Sequence, residues 1–276
     1  MIRFLILSGY FELMMYLQVS GKLNQFINVH YRYLAILSMV ISLVLALVQL
    51  YFWVKQEPAH HHEDDHQHGL EKKHQRLIAY LLLALPIIVG LFFPTVSLDT
   101  TIVEAKGFNF PLSEESVGDP EMTTQYLKPD TSLYFNKDDY NTQMETSLAQ
   151  YVDQATITIT DENYLEVMEL IYTYPSEFIG KKVTYEGFVY HQDQDDANDI
   201  FLFRFGIIHC VADSGVFGLR MTLPADTVAE NNQWLQVEGT IQSQYYAPFK
   251  RDLPMVAVKQ VSTVAAPDNQ YVYRAF

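Results

Sequence analysis

The sequence predicts a membrane-anchored α+β chain: two to three N-terminal transmembrane helices, a linker, and a C-terminal mostly-β domain with one helix preceding a small barrel. Three observations carry this expectation. The long apolar runs fall almost entirely within residues 1–94. Residues 95–276 hold 27 acids against 11 bases, a net charge of −16, whereas residues 1–94 hold 6 acids and 7 bases. Five segments with strand character follow one another after residue 180, and no helical period separates them.

The clearest span is 33–54, YLAILSMVISLVLALVQLYFWV, which carries no charge over its whole length. About 20 apolar residues suffice to cross the hydrocarbon core, and Tyr51 and Trp53 suit an interfacial belt. A second span runs over 77–94 with Pro86 and Gly90 inside it. Both are tolerated in membrane helices, where neighbours re-satisfy the backbone. The segment 4–19 reads as a first membrane helix, although Glu12 interrupts it. That carboxylate belongs either in an intramembrane protein contact or, if the helix lies in the interface, in water.

Three spans put the 55–76 loop and the N-terminus on one side of the membrane and the acidic domain on the other. Arg3, Lys55, Lys72, Lys73 and Arg76 lie on the first side, against Lys22, Arg32 and Lys106 on the second. The basic excess orients the N-terminus and the loop inward and the acidic domain outward.

Residues 95–150 mix Pro, Gly, Ser and acids with short β-branched runs, and read as a linker with one candidate strand at 100–105. The domain at 151–276 opens with an alternating strand at 155–160 and a helix after it. Thr160 or Asp161 can cap this helix, Leu165, Met168, Leu170 and Ile171 stripe it, and Pro175 stops it. Strands follow at 181–191, 199–213, 216–224, 233–243 and 255–264. Gly187 and Gly239 occupy similar places in two of them, as bulges or barrel bends do. Five short strands with such bends fit a partly open barrel of the oligonucleotide/oligosaccharide-binding type, an OB-like domain.

Composition excludes some functions. A net charge of −15 argues against a phosphate-binding surface, hence against nucleic acid, and favours cations or cationic partners. The single cysteine, Cys210, rules out an intrachain disulfide.

Between the second and third spans lies PAHHHEDDHQHGLEKKH, residues 58–74, with six of the nine histidines. Imidazole is the commonest ligand of borderline divalent metals, and carboxylates widen the choice. His60, His61, His62, His66 and His68, helped by Glu63, Asp64 and Asp65, are candidate ligands for Zn(II) or another divalent transition metal. His62 and His66 would share a helix face, and His60/His62 or His66/His68 could chelate from extended chain. No paired Cys-x-x-Cys spacing is present, so such a site would be labile. The alternative is a solvated spacer between two helices.

The stretch 204–218, RFGIIHCVADSGVFG, is chemically tempting. Strand alternation sends His209 to the face of Phe203, Phe205, Ile207 and Val211, and Cys210 to the opposite one, so the two would not form a catalytic pair. Nothing in the chain matches a nucleophile elbow, a phosphate loop or an H-E-x-x-H helix, and no enzyme is expected.

The hydrophobic front end with its His/acid loop, SLDTTIVEAKGF after the last span, and GKKVTYEGFVY followed by FRFGIIHCVADS resemble the YcgQ-like family of bacterial membrane proteins. Arg204, Phe205, Ile207, Cys210, Ala212 and Asp213 are the matching positions of the most specific stretch. A second cysteine is common in that family where this chain has His209, which departs from a paired-thiolate metal site. The resemblance implies a multi-pass protein of the bacterial cytoplasmic membrane, embedded in its lipid bilayer. It further implies an accessory subunit accompanying a multi-span permease of YcgR-like type, with no known catalytic residue. A stand-alone, membrane-anchored extracytoplasmic binding protein for a small ligand or envelope component is the alternative.

Overall fold

The computed structural model describes residues 1–55, 73–93, 100, 137–192, 198–247 and 250–275. The chain divides into two compact units, Met1–Ser97 and Leu98–Phe276.

The first unit contains α1 (Ile2–Val19), α2 (Arg32–Lys55) and α3 (Lys73–Phe92), all three long and apolar enough to cross a membrane. α1 packs against both of the others. Leu13 and Leu17 of α1 are buried with Leu23 and Ala35, and Leu91 packs against that group. The less exposed residues of α2 include Ala35, Met39, Ser42 and Ala46, at helical spacing. Small residues in such a seam let two helix backbones approach closely. Pro86 removes one donor from the α3 ladder, and the Tyr10 hydroxyl donates to the nearby Leu83 carbonyl over 2.9 Å. The outer faces of α2 and α3 stay apolar and exposed, as at Leu37, Val44, Leu81 and Leu85.

The second unit opens with α4 (Lys137–Tyr151), in the stretch that the sequence reads as irregular. Its apolar residues are sparse: Met144 and Tyr151 are buried and Tyr140 and Leu148 partly so. Contacts distant in sequence hold it in place. The Tyr140 hydroxyl donates to the Glu169 carboxylate, which also pairs with Arg274 at 3.2 Å. Burial, reinforced by that carboxylate, pushes the Tyr140 phenol far above its ordinary range. Lys181 donates to the carbonyls of Tyr151 (3.1 Å), Val152 and Gln154 (2.8 Å), a cation set at the C-terminal end of the helix, where the dipole favours it. The candidate strand at 100–105 lies, apart from Thr100, outside the described residues. Thr100 exchanges two hydrogen bonds with the Asn232 side chain, at 3.1 and 3.0 Å.

Next come β1 (Thr156–Thr158), α5 (Tyr164–Thr173) and a four-residue helix α6 (Pro175–Phe178). Neither Thr160 nor Asp161 caps α5. Asn163 occupies the N-cap position, but its side chain binds backward, accepting from the Thr160 amide and donating to the Thr158 carbonyl. Pro175 follows the end of α5 as expected and also opens α6, because its fixed φ suits a first helical turn.

The strands are β2 (Lys182–Tyr190), β3 (Asp199–Ile207), β4 (Gly215–Thr222), β5 (Trp234–Tyr246), β6 (Arg251–Thr263) and β7 (Tyr271–Tyr273). They pair in the order β1-β2-β5-β6-β4-β3-β7, and β3 pairs back onto β2, which closes β2 to β6 into the expected five-stranded barrel. β4 and β6 run parallel, as Greek-key closure requires. Gly239 falls at a register shift in β5, and a Cβ on Gly187 would lie 2.7 Å from the Phe203 carbonyl oxygen. Both sit where strands bend or close in. β1 and β7 extend the sheet by short parallel pairings on β2 and β3.

Every residue of β3 is buried. Against the sheet α5 buries Leu165, Val167, Met168, Leu170 and Ile171. Tyr164 and Tyr172 of this helix donate to the Phe217 and Gly218 carbonyls, at 3.1 and 2.8 Å. Burial raises the phenols of Tyr164, Tyr172 and Tyr185, so these hydroxyls stay protonated.

Candidate functional site

Strand β3 ends at Ile207, short of the 199–213 span expected from the sequence. The chain then bends, and Val211–Asp213 forms a single 3₁₀ turn. The organiser is Asp213. Its carboxylate accepts from the His209 amide (3.1 and 3.0 Å) and the Cys210 amide (2.8 Å), and stands 2.6 Å from His209 Nδ1. A carboxylate in this position assigns the Nδ1 proton to His209. The alternation that places His209 and Cys210 on opposite strand faces therefore does not apply, because the backbone has left the strand. A local side-chain acceptor has outcompeted the ladder, as Asp commonly does at turns. Cys210 is partly exposed.

Arg204, on β3, is almost wholly buried, at 2% exposure. Its Nη1 donates to Asp161 at 2.9 Å, and Nε and Nη2 point to the carbonyls of Gln270 and Asn269 at 3.4 Å. The guanidinium lies 5.1 Å from the Trp234 ring centroid and 5.9 Å from that of Tyr164. It thus joins β3 to the entry of α5 and to the segment leading into β7. Phe205 and Ile207 are buried as well. The residues of the R-F-x-I-x-x-C-x-A-D stretch build one wall of the domain and the turn beyond it.

A second polar group forms around Asp199 and Arg220. Asp199 accepts from Arg220 Nη2 and from the Thr222 hydroxyl, each at 2.5 Å. Arg220 also donates to Gln244 at 2.8 Å and stacks 4.9 Å from the Tyr246 centroid, while the Tyr246 hydroxyl donates to Gln192. The group ties β3, β4 and β5 together beside the β2–β3 connection. The signal in the sequence is a charge in each of two mostly apolar strands, Asp199 at the start of β3, which also carries Arg204, and Arg220 in β4.

Of the loop candidates, His60, His61, His62, Glu63, Asp64, Asp65, His66 and His68 all lie outside the described residues. His74, at the start of α3, is exposed. Among the described residues no group of three or more His, Cys, Asp or Glu is arranged to hold a metal ion. Glu12 is on α1 with its side chain exposed.

A family model described as the DUF1980 N-terminal domain matches residues 2–109, and one described as the DUF1980 C-terminal domain matches residues 134–274. The "Putative two-component membrane permease complex subunit" of Streptococcus mutans serotype c is 48% identical over 280 residues, covering 100% of both chains. The UPF0703 protein YcgQ of Bacillus subtilis is 39% identical over 287 residues, again over 100% of both. With both halves matched and relatives aligned end to end, the chain belongs to the YcgQ-like, DUF1980 family of proteins.

Proposed function

We propose that this chain is an accessory subunit of a bacterial multi-span membrane permease, held in the cytoplasmic membrane by α1, α2 and α3, with a partner of YcgR-like type. The full-length similarity to a relative named as a permease complex subunit carries this reading. The three apolar helices among the described residues anchor a protein well and are few for a transport path of their own. Affinity purification of the full chain in mild detergent is expected to bring down one multi-span membrane protein in fixed proportion. A monodisperse chain holding a small ligand instead favours the envelope-binding alternative, for which the polar group around Asp199, Arg220 and Tyr246 would be the place to look.

The acidic C-terminal unit is proposed to lie outside the cytoplasm, on the basic bias around 55–76. A reporter active only in the cytoplasm should be silent when fused after Phe276 and active within the 55–76 loop. The opposite pattern means that one of the spans has been miscounted.

The loop 58–74 is proposed to bind a divalent transition metal such as Zn(II) through two to four imidazoles. The density of histidine beside carboxylates motivates this. Neutral imidazole is the ligand, so affinity should fall as pH drops through about 6.5. Calorimetric titration of the loop peptide with zinc at neutral and mildly acidic pH tests it. Equal weak binding at both leaves a solvated spacer.

A further inference from the structure

We propose that the outward face of α1, centred on Glu12, is the seam that receives a helix of the multi-span partner, and that this helix places a hydrogen-bond donor or cation opposite Glu12. The inference rests on the permease-subunit reading and adds where, and through what chemistry, the contact is made.

The inner sides of α1 are occupied. Leu13 and Leu17 are buried, Leu13 also lies against Gly90 and Ile87 against Gly9, and the side chains of Tyr10 and Gln18 reach α3 and α2. Leu5, Glu12, Met15, Tyr16 and Val19 remain exposed. They recur at intervals of three, four and seven residues, which is one face of a helix. At 1.5 Å per residue Glu12 stands roughly 15 Å from Ile2 and roughly 10 Å from Val19, well inside a spanning helix. Among the described residues no hydrogen bond or ion pair reaches its carboxylate.

A carboxylate at that depth facing hydrocarbon is strongly disfavoured against one facing a polar partner. Between its charged ends, Arg32 and Lys55, the outward residues of α2, such as Leu37, Val44 and Leu47, show what a lipid-facing surface of this unit looks like, and none is charged. A second copy meeting α1 face to face would set carboxylate against carboxylate, which is repulsive. A foreign helix with an amide, a hydroxyl, Lys or Arg at mid-depth satisfies Glu12 and covers the apolar residues above and below it.

The test uses the full chain in native membranes. A photo-crosslinking residue is placed singly at Leu5, Met15 or Val19 of α1, or at Leu37 or Val44 of α2, and adducts are identified by mass spectrometry. The α1 positions are expected to yield an adduct with a multi-span polypeptide that the α2 positions do not. Adding Glu12→Leu should lower the Met15 yield at least fivefold, while Glu12→Gln, which can still hydrogen bond, should hold it within twofold. An unchanged yield in Glu12→Leu, or a multi-span adduct formed equally from α2, overturns the seam and leaves the permease reading standing. Adducts only with lipid or with another copy of this chain overturn the seam, and it is then the absence of a multi-span protein on purification of the full chain that overturns the permease reading.

Discussion

Gly218→Ala is expected to be among the most damaging single substitutions in the C-terminal unit. A Cβ on Gly218 would lie 1.9 Å from the Leu202 carbonyl oxygen and 2.9 Å from Phe203 Cδ1, across the β3–β4 pair. The first of these is backbone in a strand buried throughout, so no flexible side chain can swing aside. Relief requires β4 to move off β3, and the Gly218 carbonyl that accepts from Tyr172 moves with it. Overpacking of this kind costs about 3 kcal/mol or more. For a unit of this size that lowers Tm by about 6–12 °C. Near-UV circular dichroism of the full chain in detergent reads the change. Gly215→Ala is the control. Its Cβ would meet only the Phe217 ring, at 3.3 Å, and should shift Tm little. Equal shifts for both would show that β4 adjusts freely.

Arg204→Met is the second large effect, and its signature is local. Methionine keeps much of the stem's packing but removes the guanidinium that joins Asp161, the Asn269 and Gln270 carbonyls, and the Trp234 face. Asp161 is 56% exposed, so that ion pair contributes modestly. Desolvated cation–π contact and the charged hydrogen bonds carry more, for a loss of about 2–3 kcal/mol. Amide hydrogen exchange at Tyr271–Tyr273 should accelerate well beyond that of β5 and β6, because the three-residue β7 depends on this tie. Arg204→Lys should recover little, since a point charge cannot serve three separated acceptors. Uniform acceleration across the whole barrel would argue against a local latch.

The same residue shows how differently sequence and structure speak about this protein. Arg204 stood out as part of a motif, and a buried, branching structural tie is what it became. The alternation of β3, extended past Ile207, predicts His209 and Cys210 on a strand. Asp213, three and four residues on, supplied acceptors that the strand ladder could not match, and the chain turned. α4 does carry a helical stripe, Tyr140, Met144, Leu148 and Tyr151 at intervals of four, four and three, but the stripe is one residue wide among polar neighbours, so composition makes the stretch read as irregular. Its partners, Glu169 and Lys181, lie some thirty residues away.

By itself the sequence determined the division into apolar helices and an acidic domain, the three candidate spans, α5 and the five barrel strands. These rest on periods of 3.6 and 2 and on the bilayer's fixed thickness, all of which are local quantities. Only the tertiary structure decided the β2–β3 closure, the parallel additions of β1 and β7, the Asp199–Arg220 group and the exposed setting of Glu12. Each depends on which surfaces meet between residues far apart in the chain, and such pairing leaves no period to read.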